Sequence, residues 1–74
     1  MTLDTWIKIN YGTQQKLNDS LGLSLHQVNR WYNHNPRKFL IHLSRLSTDT
    51  DTPFKVLIEM IEQREVDVKM LSKV

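Results

Sequence analysis

The stretch from Thr13 to Asn33 constrains this chain most, because Gly22 divides it into two short runs that each repeat apolar residues at helical spacing. Leu17 and Leu21 stand four apart before the glycine, and Val28 and Trp31 stand three apart after it. Each run therefore carries one apolar stripe of the α-helical period. A glycine at such a junction stops the first helix, since it takes up positive φ without steric cost. Ser24, followed three residues later by Gln27, has the capping-box pattern and predicts a second helix that continues to about Asn33. The short connection from Leu21 to Ser24 makes the two helices a tight pair.

The same signals punctuate the rest of the chain. A helix over roughly 3–11 is capped by Thr2, turns Leu3, Trp6, Ile7 and Tyr11 to one side, and ends at Gly12. Thr13 is the N-cap candidate for the helix that carries Gln14 to Leu21. Asn35 and Pro36 open a fourth helix, because proline's fixed φ and missing N–H suit the first helical position. Its apolar residues are Phe39, Leu40, Leu43 and Leu46. After the linker-like STDTDTP of 47–53, Thr52 and Pro53 begin a fifth helix with Phe54, Leu57, Ile58 and Ile61, and Val68 and Leu71 continue its stripe. No run alternates in the manner of a strand, so the expected fold is all-α, a compact five-helix domain.

A chain of 74 residues has room for one small core. The absence of cysteine excludes a disulfide framework, a thiolate zinc site and a cysteine nucleophile. No apolar run approaches the roughly 18 residues that span a bilayer, and MTLDTWIKIN lacks the regions of a signal peptide, so a cytoplasmic protein without membrane contact is expected. His26, His34 and His42 recur every eight residues, but the break at Asn35 and Pro36 keeps them off one helical face and argues against a metal site. Asp49 and Asp51 lack the glycine and distal glutamate of a cation loop and read as a helix-capping linker. No nucleophile–base–orienter set and no glycine-rich phosphate loop can be assembled, so neither catalysis nor a cofactor is expected.

Charge is distributed unevenly. Residues 1–45 hold six basic and two acidic residues, a balance of +4, whereas 46–74 hold four basic and six acidic, a balance of −2. Between Asp19 and Asp49 there is no acid at all, against three arginines, one lysine and three histidines. Such an interval suits a polyanion-facing surface.

Placing residues 25–34 on a helix at about 100° per residue separates two faces. Val28 and Trp31 fall on one side, and His26, Asn29, Arg30 and Asn33 on nearly the opposite one, with Leu25 and Tyr32 at one border and Gln27 at the other. Solvated helix faces usually mix glutamate with lysine. This one offers amide groups and an arginine, the side chains that read base edges.

At these positions the chain resembles a known family: Gln14 to Asn33, QQKLNDSLGLSLHQVNRWYN, looks like the helix-turn-helix of phage lambda-repressor and Cro-like transcription regulators. The matching features are Gln14 at the first place, Leu17 at the fourth, Leu21 at the eighth, Gly22 at the turn, Leu23 after it, Val28 at the fifteenth and Trp31 at the eighteenth. The fifth place, usually alanine where the helices touch, is Asn18, which implies a wider crossing or an asparagine bonded at the contact. The resemblance implies a sequence-specific double-stranded DNA-binding regulator with a lambda repressor-like fold and no small-molecule effector. It implies that Gln14, Leu25, His26, Asn29, Arg30 and Asn33 meet bases, and that Gln15, Lys16, Gln27, Tyr32, Arg37 and Lys38 lie at phosphates. Arginine can bond guanine, asparagine adenine, and leucine a thymine methyl, without the sequence fixing which base each meets. Ser24 is read as a cap, and Trp6 and Trp31 as core rather than stacking platforms.

A domain over 1–62 would leave 63–74 as a C-terminal extension for dimerisation or continuation of the helix. Ile61, Val66, Val68 and Leu71 are its candidate interface, since apolar residues beyond Ile61 exceed what so small a core readily buries. A homodimer on two half-sites is the expected assembly. The alternative is a protein-interaction module, such as an antitoxin or adaptor, on the same helical fold.

Overall fold

The computed structural model describes residues 1–71. Five α-helices follow one another, with a 3-10 segment between the third and fourth: α1 Leu3–Asn10, α2 Gln14–Ser20, α3 Gln27–His34, the 3-10 segment Pro36–His42, α4 Leu43–Thr50 and α5 Phe54–Leu71. The all-α reading holds. The chain packs into a body of 35 × 28 × 20 Å.

Local chemistry sets the first two helices where the sequence places them. Thr2 accepts a hydrogen bond from the Thr5 N–H at 3.2 Å, and Thr13 accepts one from the Lys16 N–H at 3.1 Å. Each satisfies a donor that the first helical turn leaves open. Gly12 and Gly22 close α1 and α2 at φ +90° and +66°. Leu3, Trp6 and Ile7 of α1 and Leu17 of α2 turn inward and are buried.

The start of α3 differs from the expectation. The capping box does not form: the Gln27 N–H donates to the Ser24 carbonyl, not to its hydroxyl, and α3 begins at Gln27 behind a turn that contains Leu25 and His26. His26 adopts the left-handed conformation at φ +65°, which detaches it and Leu25 from the helix. The cap comes instead from the neighbouring helix. Buried Asn18 accepts from the Val28 N–H at 2.9 Å and donates to the Leu23 and Ser24 carbonyls at 3.1 and 3.0 Å. Asn18 thus serves as a bonded helix contact, and its amide ties α2, the turn and α3 together.

A single fourth helix from Pro36 is replaced by the 3-10 segment followed by α4. Three residues per turn align Pro36, Phe39 and His42. Pro36 and Phe39 are buried by that alignment. The Phe39 ring meets Trp31 edge-on with centroids 5.5 Å apart, and His42 stacks on the same indole at 5.7 Å.

α5 closes the core with Leu57, Met60 and Ile61, whereas Phe54, expected inside, is half exposed. Ile61 is 1% exposed within a single chain, so it belongs to the core and is withdrawn from the candidate dimer interface. The helix runs unbroken through position 62, so the expected division between 62 and 63 falls inside an element. Positions 72–74 of the expected extension lie outside the described residues. No helix among the described residues is long and apolar enough to cross a membrane.

Candidate nucleic-acid interface

Burying Val28 and Trp31 fixes the rotation of α3, and the opposite side of the helix then faces solvent. Asn29, Arg30 and Asn33 are exposed there, with His26 exposed in the turn ahead of them. Gln14, at the first turn of α2, reaches across: the Asn29 side-chain amide donates to Gln14 Oε1 at 3.1 Å. Gln14, Gln15, Asn18, His26, Val28 and Asn29 line a cleft of about 200 Å³ between the two helices. Leu25 is 68% exposed and stands in the turn, not on α3, so its expected place among the helix's first base-facing residues is corrected to a loop position. His26 is corrected in the same way.

The remaining polar residues divide between free and engaged groups. Gln15 donates to Asp19 at 2.8 Å, and the Asn33 amide folds back onto the Asn29 carbonyl at 3.0 Å. Gln27 is half-buried at the start of α3. Lys8 pairs with Asp4, Arg45 with Asp49, and Arg37 with Glu65. Lys16, Arg30 and Lys38 are exposed and take part in none of the ion pairs found among the described residues. An exposed cation without a neighbouring acid keeps its field for an external anion.

Tyr32 is half-buried, and its ring lies under the Arg64 guanidinium at 3.9 Å to the centroid. Arg64 Nε also donates to the Tyr32 carbonyl at 2.8 Å, filling an acceptor that the last turn of α3 leaves open. Sequence reasoning missed Arg64 and Glu65. They sit far along the chain from Tyr32 and Arg37, and no local pattern announces contacts of that range. Trp6 and Trp31 are in the core, and Trp6 Nε1 donates to Thr52 at 3.1 Å. Among the described residues no group of three His, Asp or Glu side chains could hold a metal ion.

Chemically, the face presents amide donors and acceptors beside one unpaired arginine, with Lys16 and Lys38 exposed on α2 and the 3-10 segment. That set can read base edges with its centre and meet phosphates with its rim. No family model, curated protein or solved structure matches the chain.

Proposed function

We propose that the chain is a sequence-specific double-stranded DNA-binding regulator that lays α3 in the major groove and occupies an operator as a homodimer. The observation that carries this reading is the exposed side of α3. Asn29, Arg30 and Asn33 face solvent on a helix whose other side is anchored by Val28 and Trp31, and no acid occurs anywhere from Ser20 to Thr48. Arg30 supplies the bidentate donor for guanine, and Asn29 supplies an amide for adenine. Lys16 and Lys38 supply sequence-blind phosphate contacts. The resemblance of Gln14 to Asn33 to the lambda-repressor and Cro-like regulators points the same way. A homodimer seated on an operator would repress by exclusion.

Selection from a random duplex pool, followed by titration over a salt series, tests this reading. Log K should fall with log[salt] at a slope near −0.9 per phosphate contact. Arg30→Ala should cost about 1–3 kcal/mol on the selected site and flatten base preference at one position. Lys38→Ala should weaken selected and unrelated duplexes alike and make the slope shallower by about one contact. If no duplex from the pool shows salt-sensitive affinity, the proposal fails. The second reading, a module that binds another protein, is favoured by one observation: Val66, Met70 and Leu71 are exposed apolar residues at the end of α5. It predicts a protein partner competed away by changes at those positions and not at Arg30.

A further inference from the structure

α5 sets two consecutive charged residues against the end of α3 and the 3-10 segment that follows it, and they act differently. Arg64 holds the last turn of α3 through Tyr32. Glu65 reaches the 3-10 segment: its Oε1 accepts from Arg37 Nη1 at 3.2 Å and lies 3.7 Å from Lys69 Nζ. Its side chain is only 20% exposed, against 61% for Arg37 and 71% for Lys69. The carboxylate is therefore the shielded member of the group, held in place by the packing of α5, while the Arg37 head is the member free to leave. Arg37 stands in the 3-10 segment three residues past the end of α3, next to the unpaired Lys38, and in the duplex-DNA reading both serve as backbone contacts. Carboxylate and phosphate present similar acceptors to an arginine fork. A phosphate that engages Arg37 either displaces Glu65 from Nη1 or bonds the remaining guanidinium N–H groups beside that carboxylate's negative charge, and either course weakens binding.

We infer that Glu65 is an affinity-limiting residue: it occupies Arg37 as an internal surrogate for phosphate and holds the affinity of the α3 face for a phosphodiester backbone below what its cations alone would reach. The inference rests on the duplex-DNA reading above. Because Arg37 meets backbone rather than base edges, the restraint acts on every sequence equally.

Glu65→Gln tests it, since the amide keeps the size and one acceptor oxygen while removing the charge. The full chain is titrated on its selected duplex and on an unrelated one over a salt series, with thermal unfolding followed in parallel. Binding to both duplexes should tighten by about two- to fivefold at low salt, the span of exposed ion pairs, and the salt slope should steepen by up to about 0.9. Most of that gain should vanish in an Arg37→Ala background. Glu65→Ala should move affinity in the same direction and serves if the glutamine variant unfolds. Unchanged or weaker binding by a folded variant, or an equal gain without Arg37, overturns the inference while leaving the DNA reading intact. A parent protein with no salt-sensitive duplex affinity removes the DNA reading itself, and the inference with it.

Discussion

Gly22 and His26 share one backbone conformation, at φ +66° and +65°, yet only the first was legible. Glycine announces a left-handed position because it lacks Cβ, whereas histidine there costs about 1 kcal/mol or more and gives no warning. That single residue explains why the capping box at Ser24 failed: a left-handed His26 delays α3 and leaves the cap to Asn18. Asn18 was visible as a departure from the alanine the resemblance expects, but whether its amide widened the helix contact or was bonded in it depends on the placement of Leu23, Ser24 and Val28. Since it makes three hydrogen bonds while 2% exposed, Asn18→Ala, which introduces the residue usual in the regulators this segment resembles, should destabilise the chain. The Val28 N–H and two carbonyls would lose their partner in or near the core, at a cost of about 2–3 kcal/mol. Urea unfolding measures it as a lower midpoint, and a variant as stable as the parent would show that the bonds contribute nothing net.

At the scale of elements, starts and stops were read well where a residue type dictates them: Thr2, Thr13, Gly12, Gly22 and Pro36 each stand where the structure uses them. Type and extent were harder. Pro36 opens an α-helix or a 3-10 helix equally well, and the choice goes to whichever spacing seats Phe39 and His42 around Trp31, a contact between elements. Likewise the period of α5 does not reveal that Arg64 grips α3. Arg64→Ala should therefore act on two readouts at once. Loss of the stack on Tyr32 and of the bond to its carbonyl should lower stability by about 1–2 kcal/mol. It should also weaken the selected duplex more than unrelated DNA, because α3 loses its fixed end. Arg64→Lys keeps the charge but not the planar fork, so it should recover only part of either effect. A variant that loses stability yet keeps the parent's discrimination between duplexes would confine Arg64 to the fold.

The whole molecule bears on how two copies could share an operator. Half-sites one helical turn apart place recognition helices about 34 Å from each other, and this chain's longest dimension is 35 Å. Two copies of that size, side by side about a dyad, would match the scale of that spacing. With Ile61 inside the core, a homodimer contact of the proposed kind would fall to residues beyond it on α5. Helical geometry sets Val66 about 160° from Val68, so one flat contact cannot use both, whereas Val68 and Leu71 lie about 60° apart. These two also line a groove with Asn33, His34 and Lys69, beside the end of α3. A dyad there would couple the two α3 helices directly. Selection should then return an inverted repeat with half-site centres about 10–10.5 base pairs apart. Adding five base pairs between the halves should reduce affinity to that of a single half-site, because the second α3 would face the opposite side of the duplex. Leu71→Glu should have the same effect on the unaltered operator and should shift sedimentation toward the monomer. Its unfolding in dilute solution should stay unchanged, since Leu71 is 65% exposed in the single chain. A selected site without repetition, bound by one chain per duplex at every protein concentration, would rule the dyad out.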